Sequence, residues 1–181
     1  MIDPRTFRNV LGRLATGVSV VAVEVNDGVH AMTANAVCAL SLMPPQILFC
    51  PKKTGRLAQL LPQAKRFTVS FLREDQEALS TYFAGAWKEP RSPSFRFVQD
   101  HDAPRLEGSL AALICNKESI HDGGDHLLVI GQVIALHLGL EPQYPLLFFN
   151  GKYQTMERIG GKEAPPLAEV TDEPPTVYYH P

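Results

Sequence analysis

The sequence predicts a mainly β protein, an antiparallel barrel that is closed or nearly closed, carrying a few short helices. Three observations lead there. β-rich runs are separated by clusters that tolerate positive φ, at Asn26-Asp27-Gly28, Asp122-Gly123-Gly124-Asp125 and Asn150-Gly151, which is the signature of hairpins. The connections between these runs are too short for the crossovers of a parallel sheet. Helical spacing of apolar residues surfaces in only three short places. With 181 residues of which 45% are hydrophobic, the chain fits a single domain with one well-filled core.

In chain order, Asp3-Pro4 followed by Phe7, Val10, Leu11 and Leu14 predicts a helix: an N-cap aspartate, a proline where a missing N–H costs nothing, and apolar residues at helical spacing. Gly17 is expected to end it. Residues 18–25 and 29–33 form a hairpin. The runs at 46–50 and 67–72 are strands, and the short helix expected at 55–61 is closed by Pro62. A second helix over 74–83 has Glu74 and Asp75 in its first turn, where they complement the dipole, and stops at Gly85. The stretch "WKEPRSPSFRFVQDHDAP" from Trp87 to Pro104 has no clean period and is expected to leave the core as a lid. Strands follow at 110–120 and 126–136, then at 145–149 and 152–156. Six or seven strands against three helices favour the barrel. The domain is placed at residues 1–160, and the proline- and acid-rich residues 161–181 are expected to be a tail without a core.

A formal charge of -2 gives no long-range attraction for nucleic acid or an anionic membrane. Asp3, Pro4, Arg5 and Arg8 interrupt any signal-like apolar run, and no stretch approaches the roughly 20 residues of a membrane span. Cys38, Cys50 and Cys115 are odd in number and far apart, which argues for reduced thiols and a cytoplasmic protein rather than a disulfide framework. The dinucleotide, phosphate-loop, nucleophile-elbow and zinc-protease motifs are all missing. "HDGGDH" from His121 to His126 offers imidazoles and carboxylates, yet glycine is what a tight turn demands and no third ligand group stands at matching spacing. No metal is expected.

Two readings fit "HAMTANAVCALSLMPPQILFCPKKTG", residues 30–55. In one, Lys52 and Lys53 are solvated strand ends and Thr33 and Asn35 make local turns. In the other, Lys53 and Thr54 open a helix whose free N–H groups favour an anion such as phosphate. Thr33, Asn35 and Ser41 then meet a polar heterocycle that Ala34 and Ala36 allow to approach closely. His126 likewise either ties down its turn or faces a cavity.

Six ordered pieces, "FRNVLGRLATGVSVV", "MTANAVCALSLMPPQILFC", "LSTYFAG", "APRLEGSLAALIC", "DGGDHLLVIGQV" and "PLLFFNGKYQTM", make the chain resemble the flavin reductases with an FMN-binding split barrel, the reductase components of two-component flavin-dependent monooxygenases. The resemblance implies a six-stranded antiparallel split barrel and a homodimer with FMN, or FAD, near the subunit interface. It implies NADH or NADPH as hydride donor and an oxygenase component that receives reduced flavin. By position it implies flavin contacts from Thr33, Ala34, Asn35 and Ala36, with Ser41 and Cys50 beside the ring and Lys53 and Thr54 near the phosphate. Ala84 and Gly85 cap the site, Tyr153 matches a family tyrosine, and His126 stands near the nicotinamide as the catalytic candidate. The family often has serine where this chain has Ala36. A protein that keeps its FMN as a carrier, store or sensor is the alternative.

Overall fold

The structure, a computed structural model, describes residues 2–139 and 144–156; the expected tail at 161–181 lies outside the described residues. Asp3 caps α1 (Pro4–Leu11), accepting the Thr6 N–H at 2.7 Å and the Thr6 hydroxyl at 2.9 Å. The helix ends at Gly12 rather than at Gly17, because Thr16–Gly17 leaves as β1 to pair with a strand near the far end of the chain. Next come the hairpin of β2 (Ser19–Val25) and β3 (Gly28–Ala34), then β4 (Val37–Leu42) and β5 (Pro45–Phe49). The helix α2 (Arg56–Leu60) and the strand β6 (Arg66–Phe71) follow. A 3-10 turn at Glu74–Gln76, tightened by the Arg73 N–H donating to Gln76 Oε1, leads into α3 (Glu77–Phe83). Then come β7 (Phe97–Asp100), β8 (Ala103–Leu106), the two long strands β9 (Ala111–Gly123) and β10 (His126–Leu138), and finally β11 (Leu147–Phe149) and β12 (Lys152–Gln154).

The main sheet has seven strands in the order β3-β2-β6-β9-β10-β5-β4, every pair antiparallel. This corrects the expected six-stranded barrel: residues 37–42 form a strand of their own on the far side of β5. Its edge strands β3 and β4 follow one another in the chain but do not share a ladder. At Ala36 the backbone turns toward β5, where Cys50 N–H donates to the Ala36 carbonyl at 3.1 Å. A small sheet of β1, β11 and β12 stands beside the main one.

The core lies under β2, β5, β6, β9 and β10, where Val21, Val23, Phe49, Phe67, Val69 and Val129 are fully buried. The Phe49 and Phe67 rings meet at 4.9 Å between centroids. A second cluster, including Val20, Leu72, Leu106 and Leu146, fills the space toward α3. The segment expected as a lid outside the core is in part inside it. Residues 97–106 form a hairpin packed on β2 and β6, with Ala103 and Leu106 buried and the Thr68 hydroxyl donating to the Pro104 carbonyl at 2.6 Å. The hairpin escapes sequence patterning because its turn is made by His101 and Asp102 at φ 49 and 54, without the glycine or asparagine that marks such turns. Phe95 and Phe97 then gather their rings with Tyr82 and Phe83 at the end of α3, edge to face except for the tilted Tyr82–Phe95 pair.

Candidate active site

The end of β3 is the hub. The Thr33 hydroxyl donates to the Ser80 carbonyl at 2.6 Å, and the Ser80 hydroxyl shares a 2.8 Å hydrogen bond with the Tyr153 hydroxyl. Ser80 is fully buried, so α3 and β12 are both fastened to the strand that leads into Asn35 and Ala36. Sequence reasoning singled out Thr33 and Tyr153 but passed over Ser80, which is an ordinary helix residue until the fold buries it. Ala84 and Gly85 sit exposed at the end of the same helix, with Gly85 at φ 72. The residues after β5 are stitched on both sides. Cys50 N–H reaches Ala36, Lys53 N–H donates to the Asp125 carbonyl at 3.0 Å, and Leu127 N–H donates to the Pro51 carbonyl at 2.9 Å. The structure therefore brings Ala36, Cys50, Lys53, Thr54 and His126 to one end of the sheet, and joins Thr33 to Tyr153 through Ser80 on the helix that ends at Ala84 and Gly85. It leaves Thr33 and Ala34 in register with Val20, Ser19, Ser70 and Phe71 toward the other end, with Asn35 between. Ser41 is not among them: it pairs with Gln46 at the other end of β4 and lines a groove with Leu42, Pro45 and Leu136.

The charges of this end are matched pairwise. The Lys53 ammonium is bound by the Asp122 carboxylate, whose other oxygen accepts the Gly124 N–H at 3.0 Å. That lysine hydrogen bond, with the amide second, holds the Asp122 carboxyl below the usual carboxylate range. Arg56 donates to Asp27 at 3.0 Å, and Asp27 also meets His30 at 2.9 Å. His126 Nδ1 lies 2.7 Å from Asp125 Oδ1, an interaction that depresses the Asp125 carboxyl. His121 turns away to the Ser119 hydroxyl at 2.9 Å. The six residues of "HDGGDH" thus serve different partners, and no group of three or more metal-ligating side chains occurs among the described residues. The helix expected to present its dipole to an anion has only five residues, so an anion there would rest on the Lys53 charge and on single amides. Burial, with Cys38 close by, pushes the Cys50 thiol up.

At the Asn35 corner lies a cleft of about 480 Å³, bordered by Asn35, Val37, Cys38 and Ala39 on one side and Thr16 and Phe71 on the other, while Cys50, Lys53 and His126 do not line it. Its wall is largely apolar with a few polar groups, the usual character of a site for a small flat molecule. The Asn35 side chain is exposed and hydrogen-bonded to nothing among the described residues, and Thr16 Oγ1 is buried without a partner. Free polar groups beside an apolar wall suit a heterocycle with an amide edge such as a flavin.

The chain belongs to the flavin reductase like domain family, which matches residues 11–157. It is 40% identical over 162 residues to the reductase subunit HsaB of a flavin-dependent monooxygenase from Mycobacterium tuberculosis, covering 86% of this chain and 84% of that protein. It is 36% identical over 165 residues to an NADH-dependent flavin reductase from a Rhodococcus species, covering 90% and 92% of the two chains. Among solved structures, the flavin reductase PheA2 in its native state superposes with a TM-score of 0.81 at 36% identity, over 87% of this chain and all of that one.

Proposed function

We infer that the chain is an NADH-dependent flavin reductase that supplies reduced flavin to the oxygenase component of a two-component monooxygenase. One observation carries this reading. The corner at Asn35 and Ala36, the segment from Cys50 to Thr54 and the strand start at His126 are fastened together by backbone hydrogen bonds at 3.1, 3.0 and 2.9 Å. The relatives named above supply the reaction class.

A bound flavin supplies hydride acceptance and the nicotinamide supplies donation, so the protein's task is binding, orientation and exclusion of water. Backbone amides at residues 33–36 and the Asn35 side chain orient the ring and face the charge that develops on it. Ala34 and Ala36 keep the approach open, and Cys50 adds an uncharged thiol. Lys53 and Thr54 meet the phosphate, Ala84 and Gly85 close the rim, and Tyr153 is held by Ser80 to face the same space. His126 positions the nicotinamide. FMN or FAD serves as flavin, and NADH is the preferred donor over NADPH because the Rhodococcus relative is named for it. The chain works as a homodimer, a reading supported by exposed apolar side chains on β4 and β10, and in the cytoplasm, a reading supported by its three free cysteines. Steady-state NADH oxidation by purified protein, with FMN, FAD and no flavin compared, tests the function. Rapid consumption that needs added flavin is expected, and none with either flavin would overturn it.

A further inference from the structure

We propose that Asp122 is an affinity-lowering counter-ion: it occupies the lysine that a flavin phosphate would use, and so keeps the flavin exchangeable. The inference rests on the reading of the chain as a flavin reductase with Lys53 at the phosphate.

The carboxylate is built into place. Its Oδ1 is fixed by the Gly124 N–H at 3.0 Å and its Oδ2 meets the Lys53 ammonium. The turn that carries it is anchored by its own backbone, since Lys53 N–H donates to Asp125 at 3.0 Å and Leu127 N–H to Pro51 at 2.9 Å, with Lys52 bridged to His126. Asp122 therefore faces Lys53 as part of the hairpin, whatever else the lysine binds. Arg56, three residues on, is matched in the same way by Asp27 from the β2–β3 turn. An anion that approaches Lys53 must displace or lie beside a carboxylate, and like charges at such range repel. A pocket meant to retain a phosphorylated cofactor gains by leaving its cations free for charge-assisted bonds. Here the lysine is already neutralised, which suits a molecule that must leave after each turnover and disfavours the alternative of a store or carrier.

The test compares FMN with riboflavin, which has no phosphate, by fluorescence titration of the whole chain. Asp122→Asn is expected to tighten FMN by about 3- to 10-fold, an estimate from the modest energies of exposed charge pairs, and to leave riboflavin unchanged. In a Lys53→Ala background the same substitution should bring no gain. Asp122→Ser, which keeps an oxygen for the Gly124 N–H, should reproduce the effect if Asp122→Asn disturbs the turn, with melting curves recorded for both. An unchanged or weaker FMN affinity in both variants, or an equal gain for riboflavin, would overturn the proposal. If Lys53→Ala selectively weakens FMN while the Asp122 variants are inert, only this proposal fails. If Lys53→Ala weakens both flavins equally, or the wild type binds neither, the phosphate reading fails and this proposal with it.

Discussion

His126 shows what a single side chain is tied to and what it is not. Among the described residues its ring hydrogen-bonds only to the neighbouring Asp125, at 2.7 Å, and 42% of the side chain is exposed. The turn before it is held by backbone amides rather than by the imidazole. His126→Ala should therefore melt with the wild type while bleaching of bound flavin by NADH slows by about 5- to 150-fold, the range for losing one positioning contact. Stopped-flow traces beside a melting curve check this, and an unchanged bleaching rate with a lowered melting temperature would make the residue structural. At the same scale, burial pushes the Cys115 thiol up to about 12, so this cysteine serves packing rather than reaction.

At the scale of the element, β10 carries a demand that its sequence barely announces. Gly131 pairs with Ile47 on β5 and Lys117 on β9, and a Cβ at this position would stand 2.3 Å from Phe67 Cζ and 3.0 Å from the Cys115 Cβ. Phe67 packs its ring against bare backbone there. Gly131→Ala should destabilise by about 1 to 3 kcal/mol through overpacking, even though alanine costs less chain entropy than glycine. Urea unfolding measures it, and a midpoint at or above that of the wild type would show that Phe67 moves aside freely. The β7–β8 hairpin makes the complementary point. Its strands are short and its turn lacks glycine, so its identity comes from Ala103 and Leu106 of β8 burying themselves against the main sheet, and from the Thr68 hydroxyl beneath that donates to Pro104, and not from local propensity.

For the whole molecule, the apolar surface supports the proposed homodimer. Leu42, Met43 and Leu136 are 58%, 87% and 72% exposed, and Leu42 and Leu136 border one groove of about 550 Å³ with Val133 and Ile134. On α1, Phe7, Val10 and Leu11 also face outward, as does Leu14 just beyond it. A monomer rarely leaves an apolar groove of this size open to water, and a second copy covering it matches the habit of soluble oligomers to close by two-fold symmetry. Light scattering should give about twice the 20.0 kDa chain mass, and Leu136→Asp should shift the population to monomer. A wild type that runs at the single-chain mass at micromolar concentration would overturn the dimer.

Hairpin turns at Gly28, Gly124 and Asn150-Gly151 were legible because positive φ selects few residues, and the Asp3 cap was legible because capping is local. The family was legible because six pieces of the sequence, among them the segments around Asn35, Cys50 and His126, stand in the order its members share. Tertiary structure alone revealed the strand at Val37–Leu42, the β7–β8 hairpin, the place of Ser80 beneath Thr33 and Tyr153, and the carboxylate set against Lys53. Each of these joins residues distant in the chain, Lys53 to Asp122 or Thr33 to Ser80, and local propensity carries no information about which distant partner packing and charge will select.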